Sequence, residues 1–326
     1  MWWHLMVVFV CNALGIQLYL GIARQKALLD LPNDRSSHQT PTPRGGGLLW
    51  APTFITAIFI LLPSYWLSAL ALLLAGGISY IDDLTGLPTR YRLPIHFLAV
   101  LFLILDMQST WPWWVILTSL ILLTGWLNTF NFMDGINGIT TIYGLVMLST
   151  FWSLSSITHP SLSPQRLEPI MIAALLAFAI FNFRKKALCF AGDVGSVSLA
   201  LILGWLFLQH WSGPSSLYLL AFPLLYAVDS VMTIAIRLHQ RENIFKAHRT
   251  HLYQLLANER GWDHRYVALL YGIVQLLINC VAILWVATLG PAFQLISLFV
   301  AYLVGCTIYF FVRYSLLSTE NGQSVL

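Results

Sequence analysis

Long apolar runs, broken by short polar clusters, dominate this chain. About eleven of them reach or approach membrane-spanning length. They cover residues 2–22, 44–62, 66–81, 93–107, 112–128, 137–157, 168–182, 196–209, 217–236, 266–288 and 292–313. The shorter runs must tilt, thin the bilayer or begin inside a loop. Pro223 predicts a kink in the ninth run. The pattern predicts an all-α polytopic membrane protein, read as a single domain over residues 1–326 with no inverted repeat. Within the stretch 237–265, Leu252, Leu255 and Leu256 follow His248 and His251 at helical spacing, which predicts a short helix lying against the membrane.

Alternating the crossings gives the chain a sidedness. With the N-terminus outside and the C-terminus inside, the inner loops are 23–43, 82–92, 129–136, 183–195 and 237–265. All of the 17 Lys and Arg residues except Arg166 then fall on the inner side or at inner helix ends. That is a strong positive-inside pattern. Positive charge follows the first run, at Arg24 and Lys26, instead of preceding it, so the run reads as a retained helix and not as a signal peptide. Tryptophans gather where interfaces are expected, at Trp2-Trp3, Trp111, Trp113-Trp114, Trp211 and Trp262.

Composition agrees with the pattern. Charged residues are 9% of the chain and hydrophobic residues 58%, against about 25% charged in ordinary soluble proteins. The bilayer is therefore the main solvent. The net charge of +4 is modest, and no basic track with interleaved aromatics suits nucleic acid. Cys11, Cys189, Cys280 and Cys306 are far apart, which argues against a zinc site or a disulfide framework.

The carboxylates are gathered at the ends of apolar runs, and charge there is normally kept for function. Asp82-Asp83 closes the third run; the two side chains point about 100° apart on a helix, so they need not share a partner. A solvated helix end is the alternative. Arg90 and Arg92 follow and suit anionic phosphate. Asn128, Asn131 and Asp134 are spaced to line one helical stripe, with Gly135, Asn137 and Gly138 after them. Their oxygens suit a hard cation such as Mg²⁺, although Asp134 and Asn137 are also good helix caps. Asp193, flanked by Gly192 and Gly195 before the eighth run, is either a cap or a metal ligand. The first inner loop holds Ser36-Ser37-His38 and Thr40-Pro-Thr-Pro-Arg44 followed by three glycines; His38 is a candidate for substrate contact. Asp229 sits inside the ninth run and requires protein, a cavity or a basic partner. His248-Arg249-Thr-His251 favours phosphate or sugar contact over metal, because no third ligand is suitably placed. His4, His96, His159 and His210 are scattered and suggest no role.

Taken in order and on one membrane face, these motifs resemble the polyprenyl-phosphate N-acetylhexosamine-1-phosphate transferases. The resemblance runs from about Asp30 to Leu256. It is carried by Asp82-Asp83, Asn131-Phe-Met-Asp134-Gly-Ile-Asn137-Gly, Phe190-Ala-Gly-Asp193-Val-Gly-Ser, Asp229 before Arg237, and the loop around His251. It implies ten or eleven helices, Mg²⁺ (with Mn²⁺ as a substitute), a UDP-N-acetylhexosamine donor and undecaprenyl phosphate as acceptor. It also implies a bacterial inner-membrane protein whose site faces the cytoplasm, with a homodimer as one allowed assembly. Asn131 and Asp193 look like the metal ligands, Asp82 and Asp83 like the essential acidic pair, and Asp134 like a further catalytic carboxylate. Asn137 falls where the family contacts uracil. Arg92 and His251 match basic positions near the phosphates or sugar, and Arg249 beside His251 is a further substrate candidate.

Two departures matter. Many members have Asp where this chain has Asn137, and many read His-x-His-His where it reads His251-Leu-Tyr253-Gln254. The form here looks like the branch that starts O-antigen units with 6-deoxy-N-acetylhexosamines such as FucNAc or QuiNAc. The alternatives are a related transferase using a donor such as UDP-GlcNAc, and a transporter using intramembrane carboxylates.

Overall fold

The computed structural model describes residues 2–32, 37–107, 111–158, 167–244 and 248–320, with side chains at all of these except 158, 319 and 320. Arg35, Ser36, His159, Arg166 and Lys246 lie outside the described residues. The helices are α1 (Trp3–Gln25), α2 (Trp50–Leu61, after a 3₁₀ turn at Gly46–Leu49), α3 (Trp66–Thr85), α4 (Thr89–Asp106), α5 (Trp113–Met133), α6 (Ile139–Thr158), α7 (Leu167–Asn182), α8 (Gly192–His210), α9 (Leu224–His239), the short α10 (Leu252–Gln254), α11 (His264–Leu284) and α12 (Pro291–Glu320). A two-residue antiparallel pair, Leu29–Asp30 with Thr42–Pro43, ties the first loop.

Each expected apolar run coincides with a helix. Among the described residues, six helices can cross a membrane by length and hydropathy: α1, α3 with its preceding turn, α5, α8, α11 with its following turn, and α12. A bent pair, Gly213–Ala221 with α9, makes a seventh; it turns by 71° around Pro223. The protein is thus a multi-pass, all-α membrane protein.

Helix α8 is the axis. Its apolar window is 78% buried, against 17% for α1 and 11% for α12. It packs on α3, α5, α6 and the turn before α2. Its sequence explains this, because Gly195, Ser196, Ser198, Ala200 and Gly204 are small enough for neighbours to approach closely. A Cβ on Gly76 of α3 would lie 3.0 Å from Ser198 Oγ. Helices α1 and α12 instead present Leu14, Leu18, Phe299, Leu303 and Phe311 outward, as lipid-facing helices do.

Among the described residues, three helix N-termini are capped by carboxylates from other helices. Asp106, ending α4, accepts the backbone N–H of Ser68 in α3 at 2.7 Å and its hydroxyl at 2.6 Å. Asp83 of α3 caps α8, and Asp229 of α9 caps α10. An apolar bundle has little water to satisfy the first N–H groups of a helix, so a buried acid answers them and gains from the helix dipole.

Two expectations are corrected. The helices reach further into the polar clusters than hydropathy suggests. Asp82 and Asp83 lie within α3, Arg90 and Arg92 within α4, Asn131 within α5, and Asp193 in the first turn of α8. Partnered charges need not interrupt a helix. The leucine-rich stretch of 237–265 does not lie against the membrane: Leu255 and Leu256 are buried in the main core. Asp229 pulls it in, accepting the N–H groups of Leu252 (2.8 Å) and Tyr253 (3.2 Å) and the Tyr271 hydroxyl (2.7 Å).

Candidate active site

The ends of α3, α5 and α8 meet the first loop at one end of the bundle, around a cleft of about 500 Å³. Asp83, Asp134, Asn137, Asp193 and His38 all line it, so four separated motifs of the sequence converge. Asp30, Arg44, Asn182, His248, Gln254 and His264 complete much of the wall.

The adjacent acids Asp82 and Asp83 take different partners, as their angular separation requires. Both are buried, which excludes the solvated-end alternative. Asp82 pairs with Arg92, whose guanidinium also donates to Asp193 Oδ2 at 2.6 Å. Arg92 is therefore a neutralising bridge between two carboxylates and not a free phosphate ligand. Asp83 accepts the Asp193 N–H with Oδ1 and the Val194 N–H with Oδ2, each at 3.0 Å.

The glycines around this cap are required by space. Gly46 and Gly47 donate to the carbonyls of Phe190 and Ala191 at 2.9 and 3.0 Å, laying the first loop along the entry to α8. Gly192 has φ +76°, and a Cβ there would sit 2.6 Å from Asp83 Oδ2 and 2.8 Å from Gly45 N. The loop delivers Arg44, which donates to the Asp83 carbonyl and sits 3.9 Å from its carboxylate with the side chain about a third exposed.

On the α5 side, Asn131 donates to Ser196 Oγ at 3.4 Å, one turn beyond Asp193. Asn128 bonds back to Thr124 of its own helix and drops out of the expected stripe. Asp134 accepts the Thr140 hydroxyl at 2.6 Å, and withdrawal of its carboxyl from water pushes its pKa up to about 8. Asn137 holds the next loop, donating from Nδ2 to the carbonyls of Arg184 (3.1 Å) and Lys185 (3.2 Å). Asn182 joins three segments through the Gly138 N–H, the Thr141 hydroxyl and the Cys189 carbonyl. His248 is pulled down to about 4 by burial and by nearby His251 and Arg237, so it is neutral at pH 7.

The geometry does not bring His251 or Arg249 to the cleft wall. His251 is 2% exposed, with Nδ1 3.3 Å from Asp229 and the ring stacked on His248. Arg249 is exposed on the surface. The basic partner of Asp229 is thus His251, while Arg237 bonds Glu242 and the Asn243 carbonyl. Sequence reasoning passed over Asp30, Arg44, Asn182 and His264. Arg44 alone had a local signal, since it precedes three glycines.

Asp30, Asp82, Asp83, Asp134 and Asp193 share this end of the bundle with Arg44 and Arg92, so the carboxyl groups outnumber the fixed cations even with Asp134 held protonated at pH 7. No set of three or more His, Cys, Asp or Glu residues forms a closed metal cage among the described residues. Mg²⁺ suits such an acidic, oxygen-rich and open arrangement, because it is usually held by one or two carboxylates together with substrate phosphates.

Known proteins point the same way. A family model described as glycosyl transferase family 4 matches residues 65–210, which hold Asp82, Asp83, Arg92, Asn131, Asp134, Asn137 and Asp193. The chain is 26% identical to the decaprenyl-phosphate N-acetylglucosaminephosphotransferase of Mycobacterium leprae, over 76% of this chain and 74% of the relative. It is 26% identical to the phospho-N-acetylmuramoyl-pentapeptide-transferase of Petrotoga mobilis, over 77% and 86%. A probable undecaprenyl-phosphate N-acetylglucosaminyl 1-phosphate transferase of Bacillus subtilis is 23% identical over 92% and 89%. With its polar motifs assembled at one end of an apolar bundle, the chain is similar to the glycosyl transferase family 4 proteins over residues 65–210.

Proposed function

We propose that this enzyme transfers a sugar 1-phosphate from a UDP-N-acetylhexosamine to undecaprenyl phosphate at the cytoplasmic face of a bacterial inner membrane. The observation that carries the reading is the convergence of Asp83, Asp134 and Asp193 with Arg44 on one cleft at the end of a membrane bundle. Such a place lets a lipid phosphate meet a water-soluble nucleotide. The acceptor phosphate attacks the β-phosphorus of the donor, the bond to the UMP oxygen breaks, and UMP leaves. A polyprenyl diphosphate sugar remains in the membrane.

Both reactants are anions, and the carboxylate-rich cleft would repel them. Mg²⁺ held by Asp193 and Asn131 would supply the missing positive charge and neutralise the diphosphate. Arg44 reaches the same cleft and is suited to hold a phosphate oxygen. Arg92 keeps Asp82 and Asp193 together, and Asp83 fixes the first turn of α8, on which Asp193 stands. A general base is not obligatory, because a phosphate monoester with a second pKa near 6 is mostly ionised at neutral pH. The partners support positioning over proton abstraction: both Asp83 oxygens accept backbone N–H groups, and Asp82 is paired with Arg92.

The His251-Leu-Tyr253-Gln254 form supports a 6-deoxy donor of the FucNAc or QuiNAc type and a role in starting O-antigen. The transporter reading has no support from Asp229, whose carboxylate is occupied by Leu252, Tyr253, Tyr271 and His251. The test is UMP release by purified protein given undecaprenyl phosphate and, in turn, UDP-GlcNAc, UDP-FucNAc and UDP-QuiNAc. Release with one donor supports the reading and names the sugar. No release with any of these donors rejects it. Asp193→Asn is expected to abolish release, with excess Mg²⁺ rescuing it poorly; near-normal turnover would reject the metal assignment.

A further inference from the structure

Two uncharged side chains in the cleft have their hydrogen-bonding roles set by neighbouring backbone. His264 opens α11, where Asp263 accepts the Arg265 N–H at 2.9 Å and fixes the start of the helix. His264 Nδ1 accepts the Asn137 N–H at 3.3 Å. An imidazole nitrogen that accepts a bond carries no proton, so the neutral ring holds its proton on Nε2. A protonated ring would set two donors, Nδ1–H and the Asn137 N–H, against each other. His264 therefore offers the cleft one neutral donor, Nε2–H. Gln254 is fixed in the same manner. Its Oε1 accepts the His251 N–H at 3.3 Å, which leaves the Nε2 amide as its donor. That nitrogen lies against Gly135, where an added Cβ would approach it to 2.9 Å.

Both residues line the cleft that holds Asp83, Asp134 and Asp193. Arg44 and a cation can answer the phosphate charge, which leaves these neutral donors for an uncharged part of the ligand. They match an uncharged carbonyl oxygen. We propose that His264, together with Gln254, forms the subsite that binds a carbonyl of the nucleotide-sugar, in either its uracil ring or its N-acetyl group. The proposal rests on the transferase reading above and adds to it the residues that hold the uncharged part of the donor.

The test is calorimetric binding of UMP, UDP-GlcNAc and UDP-FucNAc to the purified full-length protein in detergent. Wild type is compared with His264→Ala, His264→Gln and Gln254→Ala. Loss of one neutral hydrogen bond predicts affinity reduced about five- to tenfold in His264→Ala and in Gln254→Ala. Glutamine at 264 carries both an acceptor and a donor, so His264→Gln should recover most of the loss. Equal weakening for UMP and the UDP-sugars assigns the uracil carbonyl; weakening for the UDP-sugars alone assigns the N-acetyl group. The KM for polyprenyl phosphate should stay unchanged in either case. Wild-type affinity in both alanine variants overturns the proposal, as does a His264→Gln protein as weak as His264→Ala with normal unfolding. If wild type binds none of the three ligands, the transferase reading itself fails; if wild type binds and the variants bind equally well, only this inference fails.

Discussion

At the scale of the residue, partners decide what each carboxylate does. Asp83 has both oxygens committed to the N-terminus of α8, so its substitution should be felt in stability as well as in turnover. Asp83→Ala is expected to lose roughly 1–2 kcal/mol in denaturant unfolding, the usual worth of a helix cap, and Asp83→Asn less, since one acceptor remains. Unchanged unfolding in the alanine variant would remove the cap from the account. Asp134 gives a pH test. Its folded pKa of about 8 lies above the ordinary 3.8, so the folded state holds a proton that the unfolded chain has released. The stability this contributes is present below pH 3.8 and is lost as pH rises through 8. In EDTA, Asp134→Asn should therefore gain stability relative to wild type between pH 6 and 9. A parallel pH dependence of the two proteins would contradict the shift. Mg²⁺ should bind more tightly over the same pH interval, with release of a proton. These acids were legible as candidates because each interrupts an apolar run. Their roles were not, because Arg92 and the Val194 N–H are remote in sequence.

At the scale of the element, the entry to α8 is where packing is least tolerant. Gly192→Ala forces a side chain into φ +76° and against Asp83 Oδ2 and Gly45 N. A loss of more than about 1 kcal/mol is expected, with a larger drop in UMP release. Gly21→Ala is the control: it lies in α1 with nothing within 4 Å of the new Cβ, and helix propensity predicts a neutral or stabilising effect. Equal behaviour of the two variants would show that the close approach of the first loop to α8 is unimportant. Pro223 was readable as a kink because its ring cannot continue a helix, and the chain bends there by 71°. The docking of α10 was not readable. Hydropathy marks Leu255 and Leu256 as apolar but does not say whether lipid or the core receives them.

At the scale of the whole molecule, the charge pattern predicts sidedness. With exposed Cys11 and Cys280 replaced by serine, cysteines introduced at Pro88 and Lys186 should react with an impermeant reagent from the cytoplasmic side. One at Gly213, in the turn that follows α8, should react from the opposite side. Labelling of Pro88→Cys and Lys186→Cys from different sides would break the assembly of the cleft. The distribution of small residues explains the rest of the architecture: α8 is central because its neighbours can approach its glycines and serines, while the bulky, lipid-facing side chains of α1 and α12 keep those helices at the periphery.

The one-dimensional pattern by itself determined the solvent, the helical class, the positions of the apolar runs and the motifs that carry the acids. It could do so because burial in lipid acts on each residue locally, through the transfer of its own side chain and the need to close its own backbone hydrogen bonds. Tertiary structure alone decided that Arg92 neutralises two aspartates, that Asp83 and Asp229 serve as caps, that His251 is buried, and that Arg44, Asn182 and His264 reach the cleft. Those assignments depend on which charge or N–H group stands a few ångströms away, and in a folded bundle that neighbour is supplied by a distant part of the chain.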